Sequence, residues 1–583
     1  MRISKLGGTI QIVFDFISEN NILLLSLQVR RGHHLYSLSL IDKNVPDNII
    51  VEDVWYNLYV NYQDVQSVFN QVGITELGKI SLGKYIKIKQ AADFFPAIEI
   101  VDNASTALSE HPAKEFEYAP PAALKAKLYP YQMRGYQWLR FIVDSQCGCI
   151  LGDEMGLGKT LQIIALITEQ KQQGRTQSLV IAPVSLLENW RREFEKFTEG
   201  ISVIVHHGAK RTGLYTDLHG FDVIIISYST ASSDQSMLRM INWNLVVVDE
   251  AQNIKNPHAQ RTRSIKRIPC HTAIAVTGTP FENHMTDLWS LMDFIAPGSF
   301  GKLSDFEAEF SDDVYGARRI EPYLTPLMLR RRVSEVAQDL PDRIDVPQIL
   351  EMTPAEISGY DAVRKNIIAA FNGHNAALPM LQKLRIFCTH PSLLEEEQEY
   401  SDPVLCSTKY QRLCELLEEI NALEEKTILF TSYNKMFDVL QKDISLRFEI
   451  PVMAINGSTP AESRQTIVDN FSSIHGAALL VLNPRAAGAG LNITAATRVI
   501  HYNLEWNPSL EDQASARAYR RGQNKTVFIY RLFYKGTVEE IINERIEKKR
   551  SMFDAAIIGT DGSTENAEDI IRALMITPGV HNE

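Results

Sequence analysis

Apolar residues recur along this chain in two distinct rhythms. In the first hundred residues TIQIVFDF, LLLSLQV and KYIKIKQ alternate with the two-residue period of half-buried strands, and Tyr62–Val72 carries a helical pattern. Residues 1–102 are therefore expected to form a small α+β or β-rich accessory domain, and no chemical motif stands out in it. Over 103–127 the composition shifts to Ala, Ser, Pro and charge, as in a linker. From there the short all-apolar runs CGCIL, SLVIAP, DVIIISY, NLVVVDE and TAIAVTGTP alternate with helical stretches across 128–299. The same rhythm returns across 406–550 with TILFTS, VMAIN, ALLVLNP, RVIHYN and VFIYRLFY. Strands that are apolar on both faces and separated by helices predict parallel sheets covered on both sides, hence an α/β chain with two such lobes. Between the lobes, 300–405 reads as a charged, mostly helical segment belonging to neither rhythm. Residues 551–583 read as an acidic tail broken only by Arg572.

Composition narrows the class. The 583 residues would make roughly four domains of ordinary size. A net charge of −12 excludes a generally basic nucleic-acid coat, so any such contact must be a local patch. The six cysteines (Cys147, Cys149, Cys270, Cys388, Cys406, Cys414) form no C-x-x-C; Cys147 and Cys149 alternate as strand positions would, not as zinc ligands. No run approaches ~18 continuous apolar residues and no leader-like segment follows Met1. The expectation is a cytoplasmic chain of reduced thiols with no membrane partner.

Chemistry is densest in CGCILGDEMGLGKTLQIIALI. A strand enters a turn holding Gly156, Leu157 and Gly158, and Lys159 and Thr160 open a helix. Glycines there let successive backbone N–H groups close around an anion. Lys159 would reach the terminal phosphates of ATP and the Thr160 hydroxyl would bind Mg²⁺. Asp153 stands where the usual pattern has its first glycine, with Gly152 one residue early. An ordinary strand-to-helix turn is the plain alternative. Lys159 argues against it, because a cation in a first helical turn opposes the macrodipole unless an anion is bound. Further on, NLVVVDEAQNIKN ends an apolar strand in Asp249 and Glu250. Acids at the C-terminal edge of a parallel sheet face the same crevice as the glycine-rich turn. Asp249 would hold the metal with Thr160, and Glu250 would polarise the attacking water.

These motifs sit in an order that resembles the Swi/Snf-type ATPases of superfamily two, translocases of double-stranded DNA. The resemblance begins at LYPYQMRGYQWL, with Gln132 in the adenine-reading position. It continues through DEMGLGKT, LVIAPVSLLENWRREF, DEAQNIKN and TGTPFENHMTDLWSLMDF. LTPLMLRRRVSEVAQDLP and LRIFCTHPSLL follow between the lobes, and the second lobe adds NPRAAGAGLNITAATRVIHYNLEWNPSLEDQASARAYRRGQ and KGTVEEII. The resemblance spans Leu128 to Arg550 and implies two RecA-like lobes with helical insertions. It also implies a nucleotide contact at Gly490, coupling of hydrolysis to lobe movement at Thr277 and Thr279, and phosphate contacts to duplex DNA. Candidates for the DNA contacts are Ser185, Tyr228, Ser229, Thr277, Arg485 and Trp506. Trp190 and Trp506 read equally as packed aromatics, and Arg330–Arg332 as a solvated helix face.

The chain departs from the family pattern in several places. Gln252 replaces a histidine, Asn483 and Pro484 replace serine and threonine, and Ala516, Tyr519 and Arg521 replace an acid, a histidine and an apolar residue. In QASARAYRRGQ a helix would put Arg517 and Arg520 on one face. The resemblance turns that face toward the nucleotide as catalytic arginines, with Gln513 and Gln523 bracketing it. Spacing alone does not exclude Arg521. Three functions follow for test. One is a DNA-dependent ATPase travelling on duplex DNA, in a bacterial setting such as repair, RNA polymerase recycling or phage defence. The second is a nucleotide-controlled switch or remodeller with protein partners at 1–102 or the tail, and the third is a strand-separating helicase.

Overall fold

The computed structural model describes residues 2–3, 9–17, 22–31, 34–38, 48–51, 54–57, 59–93, 95–105, 118–175, 177–208, 211–278, 285–312, 314–336, 340–370, 377–394, 402–487, 491–555 and 578. The acidic tail beyond 555 thus lies, Pro578 apart, outside the described residues, as do Thr279 and Gly490. The chain divides into two compact units, Met1–Asp153 with Gly158–Arg331, and Glu154–Leu157 with Arg332–Glu583.

The first unit opens with a mainly antiparallel sheet. Thr9–Ile17 pairs along its whole length with Ile22–Arg31, from Thr9 opposite Arg30 to Ile17 opposite Ile22. His34–Leu38 and Gly78–Ile80 also pair with Ile22–Arg31, and Glu99–Asp102 runs parallel to Thr9–Ile17. Helices Tyr59–Val72 and Leu82–Asp93 accompany it. KYIKIKQ, expected as a strand, lies within the second helix. Its short Y-I-K-I alternation satisfies either period, and burial of Leu82, Tyr85, Ile86, Ile88 and Ala92 shows the helical one winning. Tyr85 Oη donates to Asp102 at 2.7 Å and Lys89 pairs with it at 2.6 Å, pinning that helix to the sheet. Phe16 meets Phe141, edge to face at 6.1 Å, on the helix Pro130–Asp144.

The stretch expected as a linker is partly ordered against the same unit. Lys125 N donates to Phe197 O at 2.8 Å, and the Arg140 guanidinium lies 3.8 Å from the Tyr118 ring centroid. Residues 106–117 are outside the described set.

Among the described residues the first unit also holds a seven-stranded sheet. Its order is Val203–Val205, Val223–Ser227, Ser178–Ala182, Trp243–Asp249, Cys270–Val276, Cys149–Leu151, Met328–Leu329. Every pairing is parallel. Ser178–Ala182 and Val223–Ser227 are buried throughout, as their unbroken apolar character requires. Only Cys270–Val276 separates the strand leading to the glycine-rich turn from the strand ending in Asp249, so both loops leave the same sheet edge.

The second unit carries a six-stranded parallel sheet: Arg343–Leu350, Val527–Tyr534, Arg498–His501, Lys426–Phe430, Ala478–Leu482, Val452–Ile455. Alternate residues feed opposite layers. Ile428, Phe430, Leu480 and Val499 enter one core, while Leu429, Leu479, Val481 and Ile500 enter the other.

The segment 300–405, expected to belong to neither rhythm, contributes an edge strand to each sheet. Met328–Leu329 is too short to show a period. Arg343–Leu350 is polar on one side and contains Pro347, traits tolerated at an edge and not at a centre.

Candidate active site

The strand Cys149–Leu151 is fully buried and delivers the chain to the turn 152–158. Gly156 (φ 89°) and Gly158 (φ 72°) take left-handed conformations, and Lys159–Gln172 then forms a helix. A Cβ at Gly158 would stand 2.4 Å from Gln132 Nε2, the movable end of a side chain, so it is the left-handed torsion that calls for glycine there. Gln132, 3% exposed, accepts from Tyr129 N at 3.1 Å through its Oε1. The expected adenine reader therefore abuts the glycine-rich turn. Lys159 Nζ donates to Asp153 O at 2.7 Å, Thr160 is half-buried in the first helical turn, and Leu157 is fully buried. Gly158→Ala is accordingly expected to weaken ATP binding by at least ten-fold, checked by titration with a fluorescent ATP analogue.

Asp153, the residue out of pattern, is completely buried and pairs with Arg331, whose side chain is 12% exposed. Arg331 Nε donates to Oδ1 at 2.9 Å and Nη2 to Oδ2 at 2.5 Å. Nη2 also reaches Gln162 Oε1 at 2.9 Å, Nη1 donates to Tyr131 O, and Gln162 Nε2 donates to Asp153 at 3.2 Å. The turn is thus anchored by a bidentate ion pair where other nucleotide-binding turns have a glycine. Arg331 is correspondingly not part of a solvated helix face. Gly135 has the same origin: a Cβ there would stand 1.8 Å from Gln162 Oε1 and 2.6 Å from Arg331 Nη2.

The acid pair is held from several directions. Asp249 Oδ1 accepts from Glu250 N at 2.9 Å and Oδ2 from Trp190 Nε1 at 2.8 Å. Glu250 is left-handed, φ 51°, a conformation that costs a non-glycine residue energy and is held by its surroundings. Tyr228 Oη donates to Asp249 O at 2.5 Å and Glu250 O at 3.0 Å, bracing that turn. Gln252 Nε2 donates to Glu250 Oε2 at 2.8 Å, and Thr277 Oγ1 donates to Gln252 Oε1 at 3.0 Å. Gln252, standing where relatives carry histidine, so connects Glu250 to the TGTP segment. Burial first, then the Glu250 charge, hold the Asp249 carboxyl above its ordinary range, opposed by the Trp190 N–H and Lys159. A carboxylate held in this way beside Glu250 and Lys159 is a hard oxygen donor of the kind a divalent cation takes.

The expected DNA contacts fall into two groups. Ser185 is half-buried in the short turn Val184–Leu186, and Ser229 and Arg485 are exposed. Tyr228 (5% exposed) and Thr277 (1%) lie behind the surface with their hydroxyls committed to the hydrogen bonds above. Trp506 is half-buried and packs on the cluster of Tyr360, Leu384 and Phe533, with the Arg545 guanidinium 5.6 Å from its ring. Asn483 Oδ1 accepts from Arg485 N at 3.0 Å and Pro484 opens the helix Pro484–Ala487, so the unusual Asn-Pro pair is a built helix start.

The arginines of QASARAYRRGQ do not lie on a helix as expected. Pro508–Ser515 is helical and ends there. Arg517 N and Ala518 N bond three residues back, to Ala514 O and Ser515 O. Arg517 O accepts from Ile493 N at 2.9 Å, which commits the chain to a turn. Gln523, expected at the interface, is 5% exposed and donates to Ala496 O at 2.9 Å and Thr494 O at 3.1 Å. Sequence reading missed the roles of Arg331 and Trp190, because each acts through a partner distant in the chain, and the Gln252 relay, because its second partner lies on another strand's end.

The family description "SNF2-related domain" matches residues 131–393, and "Helicase conserved C-terminal domain" matches 408–522. The YwqA protein of Bacillus subtilis (strain 168) is 34% identical over 477 residues, 78% of this chain and 52% of that protein. Chromodomain-helicase-DNA-binding protein 1-like of Mus musculus is 33% identical over 454 residues, 74% of this chain and 50% of that protein. A solved structure described as the Sulfolobus solfataricus SWI2/SNF2 ATPase core in complex with dsDNA is 33% identical. It covers 80% of this chain and 100% of that one, with a TM-score of 0.40. The chain belongs to the SNF2-related family. Within this SNF2-related chain the first match begins at Tyr131, so the N-terminal sheet lies outside both family descriptions. The chain spans about half the length of the curated relatives it matches.

Proposed function

We propose that the chain is a DNA-dependent ATPase that couples ATP hydrolysis to translocation along double-stranded DNA without separating the strands. The observation that carries this reading is the wiring of the acid pair. Asp249 and Glu250 are bonded by Trp190 and Tyr228, which belong to the same segments as Ser185 and Ser229, and by Gln252 to Thr277. Lys159 and the first amides of its helix would hold the phosphates, with Gln132 against the base. Glu250 would polarise the attacking water, and Arg517 and Arg520 would supply positive charge as the γ-phosphoryl leaves. Mg²⁺, when bound at Thr160 and Asp249, would neutralise phosphate charge. Membership of the SNF2-related family, and the words DNA-binding in the name of the mouse relative, support DNA as the track.

Purified protein is expected to hydrolyse ATP faster with duplex DNA, to displace a triplex-forming strand and to leave a forked duplex unseparated. The stimulation should fall steeply with salt, since phosphate contacts release counterions. A flat response to duplex DNA together with no triplex displacement would defeat the proposal.

A second reading, a nucleotide-controlled switch with the N-terminal sheet as its regulatory module, draws on the contact between Phe16 and Phe141. That contact touches the helix that carries Gln132. On this reading Phe16→Ala raises DNA-free turnover; unchanged turnover disposes of it.

A further inference from the structure

Trp190 is 1% exposed and sits on the helix Leu187–Phe197, 59 residues from Asp249 in sequence. A buried indole N–H needs an acceptor, and most are met by backbone carbonyls. Trp243 in the same unit does this, donating to Leu238 O at 2.9 Å. Trp190 instead donates to a side-chain carboxylate at the C-terminal edge of the sheet. With Glu250 N on Oδ1 and Trp190 Nε1 on Oδ2, each oxygen of Asp249 has one lone pair occupied and one available. Two N–H groups from separate elements fix both the rotamer and the plane of the carboxylate. The Glu250 amide alone leaves the group free to rotate about that contact. The Trp190 bond removes this freedom.

We infer that Trp190 is a positioning residue for the ATP site: its indole N–H presets the Asp249 carboxylate for the Mg²⁺ of Mg·ATP. The inference rests on the assignment of Asp249 as the metal-holding acid. Partners of this kind behind a metal ligand typically govern affinity by 10–100-fold when removed.

The test compares the wild-type protein with Trp190→Phe, which keeps an aromatic ring and loses the donor. A fluorescent, non-hydrolysable ATP analogue is titrated with Mg²⁺ and with excess chelator, so the readout is binding and not turnover. The expected result is that the wild type gains affinity on adding Mg²⁺, while the half-saturating Mg²⁺ of the variant rises by about ten-fold. Affinity in chelator should stay within two-fold. A merely structural role would weaken both conditions equally. Equal Mg²⁺ dependence in the two proteins overturns the inference. Should Trp190→Phe not fold, genetically encoded 3-benzothienylalanine at position 190 keeps the bicyclic shape and lacks only the N–H; the same two outcomes then apply. If the wild type binds the Mg²⁺ analogue but shows no DNA-stimulated turnover, the proposed function fails while this measurement still decides the role of Trp190.

Discussion

Arg520→Ala is expected to fold and bind ATP like the wild type and to lose DNA-stimulated turnover by about 10³–10⁵-fold, the range seen when arginine fingers are removed. On the proposed reading, binding would be held by the left-handed glycines, Lys159 and the helix it opens. The arginine is asked to act later, when charge migrates from the γ-phosphoryl to the leaving oxygen, so its removal affects the transition state and spares the ground state. Because Pro508–Ser515 stops short of the arginines, a turn and not a helical face aims them. Helical spacing therefore no longer ranks Arg517, Arg520 and Arg521, and the family pattern alone favours the first two. Arg521→Ala should be far milder. Steady-state hydrolysis with duplex DNA, set beside analogue binding, checks the prediction. Near-normal hydrolysis by the Arg520 variant would end the assignment.

Arg331→Ala should be the most destabilising single change in the first unit's site, by about 3–5 kcal/mol, because it strands a charge in a dry place. Asp153 is fully buried and Arg331 supplies two of its hydrogen bonds. Gln162 cannot replace a cation. The measurement is the denaturant midpoint of the chain, compared with that of Arg332→Ala. Arg332 is a third exposed and lies 4.0 Å from Glu335, so its loss should cost well under 1 kcal/mol. Removing both partners with Asp153→Ala and Arg331→Met should recover most of the loss, since the apolar pair leaves nothing unpaired. A destabilisation by Arg331→Ala no larger than that by Arg332→Ala would show that the ion pair contributes little.

The apolar strands could be read from the sequence because each is buried on both faces and so carries its signal in every residue. Ser178–Ala182, Val223–Ser227 and Ala478–Leu482 needed no partner to be recognised. The glycine-rich turn could be read for a similar reason: its left-handed torsions and the cation that follows them lie within a few residues of one another. What escaped was what depends on distant residues. Arg331 meets Asp153 across 178 positions and Trp190 meets Asp249 across 59. Neither arginine nor tryptophan announces its partner in the sequence. Edge strands escaped for the opposite reason, since Arg343–Leu350 is half polar and its pairing is fixed by Val527–Tyr534. KYIKIKQ failed because a few residues cannot distinguish a period of 2 from one of 3.6.

The close approach of Gly135, Asp153, Gln162 and Arg331 also bears on how such chains can diverge. Neither charged member of the quartet can change alone without stranding the other, and a side chain at 135 would displace the ends of Gln162 and Arg331. A lineage with glycine at position 153 would be left with an unmatched guanidinium, and one with a larger residue at 135 would have to move the ends of Gln162 and Arg331. Asp153 and Arg331 should therefore be inherited as a pair and replaced as a pair. In a collection of related sequences, the identity at 331 should be predictable from the identity at 153 even where the rest of both segments has drifted.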